Sequence, residues 1–153
     1  MTPPFLIALM QWAGLGRMKL GPEDRACIDL GVELRAATVE GRLRAVFTKI
    51  PHEVGALSKT DPGYRLAQAR YAKQQAMGFI TGSCDYVFTW RGGAGWIEMK
   101  SSTGRLTDAQ GRFRDWCALA GVQHALCRSK AEALDVLRGW GVLVPYHERG
   151  WAT

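Results

Sequence analysis

The sequence predicts an α/β domain whose central mixed sheet is flanked by helices. Three observations carry that expectation. Helical stripes alternate with short runs of branched and aromatic residues, in the order α, β, α, ββ, α, β, α. Gly or Pro marks most of the boundaries between these segments. The chain has 153 residues, 47% apolar and 22% charged, which are ordinary values for one globular domain. That composition excludes a disordered chain, a collagen and a coiled coil.

Each element follows in order. Residues 1–20 begin with the apolar run Phe5-Leu6-Ile7-Ala8-Leu9-Met10. No basic residue precedes it and it is too short to span a bilayer, so it reads as an arm, flexible or packed on a partner. Gly21-Pro22-Glu23 opens a helix, with Pro just inside and acids in the first turn. Cys27, Leu30, Gly31 and Leu34 form its inward stripe, and Gly41 breaks the pattern. Residues 43–50 read as a strand closed by Pro51-His52-Glu53. Gly55, Asp61, Pro62 and Gly63 mark a loop, and residues 64–77 a helix ended by Gly78.

Residues 85–90 and 96–101 read as a hairpin that turns at Gly92-Gly93-Ala94-Gly95. Thr107-Asp108-Ala109-Gln110 is a capping box. The helix it opens has Phe113, Trp116, Cys117 and Ala120 as its buried stripe and stops at Gly121. Residues 122–128 form a strand. Ser129-Lys130-Ala131-Glu132 then caps a last helix, with Leu134, Leu137 and Trp140 inward and Gly141 at its end. The expected organisation is an arm over 1–20, a domain over 21–141 and a tail over 142–153.

The net charge is +6 and the pI about 9.4. Such a balance suits a polyanionic partner, and equally a solvated basic surface. Cys27, Cys84, Cys117 and Cys127 are scattered without a Cys-x-x-Cys pair. They suit neither a zinc ribbon nor a disulfide framework, and reduced thiols in a cytoplasm are expected.

The chemistry concentrates around Asp85, Glu98 and Lys100. Side chains alternate faces along a strand, so Ile97 and Met99 share one face and Glu98 and Lys100 the other. Buried charges are costly unless paired or bound to metal. Hairpin pairing brings Asp85 close to Glu98, and two neighbouring carboxylates repel. A hard divalent cation, Mg²⁺ or Mn²⁺, resolves that conflict with oxygen ligands. It can polarise a phosphoryl oxygen and activate water, while a lysine stabilises the developing charge. A Glu-x-Lys triplet alone arises by chance in about half of chains this long. This one lies on an expected strand with an acid at the start of the partner strand. The competing reading is a surface Glu–Lys pair on an edge strand.

At these residues the sequence resembles the virus-type replication-repair nuclease family, VRR-NUC, of the PD-(D/E)xK superfamily. The resemblance spans residues 46–141. It comprises Pro51-His52-Glu53, Gly82-Ser83-Cys84-Asp85, Glu98-Met99-Lys100, Gly104-Arg105-Leu106 followed by Gln110, and Arg128-Ser129. It implies a restriction-endonuclease-like core and a metal-dependent DNA endonuclease. Residue by residue, it implies that Asp85 and Glu98 are metal ligands with the Met99 carbonyl beside them. Lys100 takes the place of the catalytic lysine, Gln110 faces the site, and Glu53 helps hold the metal or its water. The family often has Pro where Cys84 stands and Asn where His52 stands. Neither departure removes a ligand.

Other roles stay open between two readings. Gln110 either caps its helix or faces the site. Glu53 is either a site member or a loop acid. His52 is a proton-transfer group, a DNA contact or a structural residue. Glu23 and Glu33 are rival acids, read as helix-surface charges. Lys59, Arg65, Arg70, Lys73, Arg105, Arg112 and Arg114 are candidate phosphate contacts, with no base-reading motif beside them. The resemblance also implies a homodimer acting on branched DNA, with the arm and tail as interface surface. A DNA-binding module that has lost catalysis is the alternative. No P-loop, dinucleotide fingerprint or Ser/His/Asp set supports another enzyme class.

Overall fold

The structure is a computed structural model and describes residues 1–51 and 58–151. Four strands form one sheet in the order β1-β2-β3-β4: Val46–Lys49, Tyr86–Trp90, Gly93–Met99 and Gln123–Cys127. β1 pairs with β2, and β2 with β3, antiparallel, whereas β3 and β4 run parallel. The parallel pair needs a crossover, supplied by α4 (Asp108–Ala120). The sheet is therefore mixed, as expected, and helices cover both faces.

α2 (Pro22–Val39) and α5 (Lys130–Gly139) pack on one face. Leu30, Leu34 and Leu137 meet Phe88, Ile97 and Met99 there, all with no solvent exposure. Each such side chain contributes about 1.5–3 kcal/mol of apolar burial. On the opposite face Cys84, Phe113 and Cys117 form a smaller cluster against α4, with Trp96 and Val122 at its margin. Trp116, expected in that stripe, is 54% exposed and meets Phe113 edge-on at its border. Ala120 is also exposed. Among the described residues, only Phe113 and Cys117 of α4 are buried, so its inward row is narrower than the stripe expected.

The hairpin turns at Arg91-Gly92, earlier than the sequence suggests, and Gly93 and Gly95 lie within β3. Their missing side chains make space for aromatic rings. A Cβ at Gly95 would come within 2.5 Å of the Trp140 ring, and one at Gly93 within 2.7 Å of Trp90. Those two indoles stack at 5.7 Å.

Segments on either side of the expected domain contact it. Residues 4–10, expected as an arm, form the helix α1 (Pro4–Met10) against α2. Thr2 Oγ1 donates to the Val39 carbonyl at 2.5 Å and Arg35 lies over the Trp12 ring. Phe5 and Leu9 remain exposed. Val142 and Leu143, expected to begin a tail, are buried, and the Arg44 N–H donates to the Val142 carbonyl at 2.7 Å. Glu33 is structural: it pairs at 2.9 Å with the buried Arg42, which Glu40 also neutralises. All four cysteines are buried and unbridged. Burial lifts the Cys27 thiol to about 12 and that of Cys127 to about 11, and pushes Cys84 and Cys117 upward. They are packing thiols, not nucleophiles.

α3 (Tyr64–Ala76) stands apart. Among the described residues, none of its side chains is buried. Tyr71 and Gln75 hydrogen-bond Thr81 at 2.5 and 2.9 Å, and the Tyr71 ring meets Phe79 edge-on. Among the described residues, no helix of this protein is long and apolar enough to cross a membrane.

Candidate active site

A cleft of about 880 Å³ lies between α3 and the end of the sheet where β2 begins and β3 finishes. Arg70 and Tyr71 of α3 line one wall; Asp85, Glu98, Lys100 and Gln110 line the other. Strand register explains the second wall. Tyr86 pairs with Ile97, so the next residues outward, Asp85 and Glu98, stand opposite each other. Tyr86 and Ile97 point into the α2 side, so both carboxylates point to the α4 side. Lys100 follows two residues later on that side.

The polar contacts give each group a distinct environment. Asp85 Oδ2 accepts the Met99 N–H at 2.8 Å, which pins the start of β2 to the end of β3. Its Oδ1 lies 3.4 Å from Lys49 Nζ. Lys100 Nζ sits 2.8 Å from Glu98 Oε1, and Gln110 Nε2 donates to the same oxygen. Glu98 Oε2 is buried and has no hydrogen-bond partner among the described residues. The Ser83 hydroxyl is buried without a partner in the same way.

Burial pushes the Glu98 carboxyl up to about 7; Lys100 pulls it down and Asp85 raises it further. Burial draws Lys100 down, but its bond and charge contact with Glu98 outweigh that and hold its ammonium above the ordinary value. The pair therefore shares charge in a nearly dry setting, with an unfilled acceptor facing inward.

Gln110 fills both roles open to it. Its Oε1 accepts the Thr107 N–H at 2.9 Å in the capping box, while its Nε2 reaches Glu98. The amide has a donor and an acceptor end, and α4 points one at each partner. Gly82 makes the approach of α4 possible: at φ +88° it sits where a Cβ would come within 2.4 Å of Ala109.

Two further residues lie at the site: Glu23, read from the sequence as a rival acid and set down as a helix-surface charge, and Lys49, which the sequence does not single out. Glu23, in the first turn of α2, lines the cleft beside Asp85 and Glu98. Its place in the first turn of a helix is also explained locally by the helix dipole. Lys49 ends β1, and only the β1–β2 pairing brings it to Asp85. Of the candidate basic residues, Arg70 lines the cleft. Lys59, Arg65, Lys73, Arg105 and Arg112 are exposed and not part of its lining, and Arg114 is paired with Asp115 at 2.9 Å. His52 and Glu53 lie outside the described residues.

Among the described residues, no three Asp, Glu, His or Cys side chains converge as a ready ligand set. The donors present are hard oxygens: Asp85, Glu98 with its orphaned Oε2, and the Met99 carbonyl between Glu98 and Lys100. That chemistry fits a divalent cation of the Mg²⁺ class better than a thiophilic metal. The cysteine thiols lie in the packing of the two cores.

A solved structure described as a VRR_NUC domain protein is similar to this chain, with a TM-score of 0.56 and 16% identity over 83% of this chain and 93% of that one. No family model and no curated protein matches the chain. The likeness shows a shared fold, a mixed sheet with flanking helices.

Proposed function

We propose that this chain is a metal-dependent DNA endonuclease that hydrolyses phosphodiester bonds, acting on branched DNA as a homodimer. The observation that supports it is the paired Asp85 and Glu98 beside Lys100, on one sheet face, at the wall of an open cleft. Asp85, Glu98 and the Met99 carbonyl would hold Mg²⁺ or Mn²⁺, with Glu53 as a further candidate. When bound, such an ion polarises a phosphoryl oxygen and lowers the pKa of water.

The remaining work falls to the chain's own residues. The Met99 N–H holds Asp85 in place, so its carboxylate needs no reorganisation when substrate arrives. Gln110 and Lys100 fix Glu98 Oε1 and leave Oε2 available. Lys100 keeps its ammonium charged at neutral pH and can stabilise the negative charge that grows on the phosphoryl group. Arg70 at the cleft, with the other exposed cations as further candidates, would track the backbone, so recognition would rest on charge and shape.

The test uses purified protein, Mn²⁺ and labelled duplex, flap and four-way-junction DNA. Cleavage by the wild type and its loss by at least about 10²-fold in Lys100→Ala are expected. Salt-dependent binding with no cleavage at any substrate would instead identify a binding module on the same fold.

A further inference from the structure

Arg128 stands at the junction of β4 and α5, and no step above uses it. Its Nη1 donates to three carbonyls of the turn after Lys100: Ser101 at 2.6 Å, Gly104 at 2.7 Å and Ser102 at 3.3 Å. The turn is closed by the Gly104 N–H on the Ser101 carbonyl at 3.1 Å. Arg128 is itself fastened: its N–H donates to Glu132 Oε2 at 2.7 Å. Glu132 thus leaves the expected reciprocal bond to Ser129 and caps one residue earlier, while Ser129 Oγ accepts the Glu132 N–H at 3.2 Å.

This turn reaches the lysine directly. A Cβ at Gly104 would lie 3.4 Å from both Cβ and Cδ of Lys100, so the glycine backbone lies along the lysine stem. The Lys100 N–H donates to the Cys127 carbonyl at 2.9 Å, one residue before Arg128. The end of β3 and the turn beyond it are therefore both tied to the end of β4. A lysine is a point charge on a flexible four-carbon stem. Confining it requires a wall, and the wall here is a turn whose carbonyls converge on one guanidinium.

We propose that Arg128 is a positioning residue for Lys100: by clamping the 101–104 turn it holds the lysine stem so that Nζ stays at Glu98. The inference rests on the reading of Lys100 as the catalytic lysine, but its first test does not need catalysis. Metal-free wild type, Arg128→Ala and Arg128→Lys are treated with an amine-reactive acylating reagent, and the modification rate of Lys100 is followed by mass spectrometry. The Lys100 side chain is 12% exposed, so its release would raise that rate by up to about eightfold. Arg128→Lys keeps the charge on a shorter, more flexible stem without the planar fork, and an intermediate rate is expected. Should Arg128→Ala not fold, Arg128→Lys decides the matter. Lys100 labelling at the wild-type rate in the folded variants overturns the proposal.

The second readout is cleavage. Misplacement of a catalytic group by about 1 Å costs on the order of 10²-fold. Arg128→Ala should lower kcat by about that factor with KM unchanged. A raised KM with unchanged kcat would make Arg128 a substrate contact and overturn the positioning role. If the wild type cuts nothing, the nuclease reading fails, and the labelling result still decides whether Arg128 holds Lys100.

Discussion

Gln110 donates its side-chain Nε2–H to Glu98 while its Oε1 accepts the Thr107 N–H at 2.9 Å. One amide thus starts α4 and fixes the buried acid across from it. Gln110→Ala should cost about 1 kcal/mol in urea unfolding through the lost cap. It should also lower single-turnover cleavage. Gln110→Glu keeps the cap acceptor but sets a second carboxylate against Glu98, so cleavage should fall further while the cap survives. Equal cleavage by all three proteins would remove Gln110 from the site.

Glu98 should write a pH dependence into stability. Its folded carboxyl is raised to about 7, above the unfolded value, so the folded state holds the proton more tightly. Stability from this group is present at low pH and is lost as pH rises from the ordinary carboxyl range through about 7. Comparing metal-free wild type with Glu98→Gln isolates it. The variant should gain on the wild type between pH 5 and pH 8 by up to about 3 kcal/mol. Parallel urea-unfolding curves at the two pH values would show that Glu98 titrates normally.

Glu23 is a carboxylate at the cleft from a different element than Asp85 and Glu98. If it helps neutralise a bound cation, Glu23→Gln should weaken Mn²⁺ binding by about tenfold in calorimetry, with little effect on unfolding. Unchanged Mn²⁺ affinity would return Glu23 to the role of a helix-start acid.

Much of this site is legible in the sequence because it rests on short-range periodicity. Period-two alternation places Glu98 and Lys100 together once β3 is recognised, and hairpin pairing brings Asp85 opposite. The capping box locates Gln110. What is not legible depends on partners distant in sequence. Lys49 meets Asp85 only through the β1–β2 register. Gly93 and Gly95 read as turn residues until Trp90 and Trp140 are seen to occupy the space they leave. The helix at Pro4–Met10 spans only seven residues, has no side-chain cap and buries no residue among those described, so it shows neither a cap nor an apolar stripe in the sequence. Trp116 sits at the right spacing for burial and lies beyond the edge of the face that α4 covers.

α3 separates one wall of the cleft from the cost of folding. The sheet and the helices α2, α4 and α5 enclose the two apolar clusters, and α3 contributes to neither. Its exposed positions are free to change in charge, length or aromatic content at little cost to the core. The chemical wall, with Asp85, Glu98 and Lys100, is built into strands that cannot shift by one residue without turning those side chains to the other face. One side of the cleft is thus fixed by the architecture and the other is open to variation, so related chains can diverge in what they grip while keeping the same reacting groups.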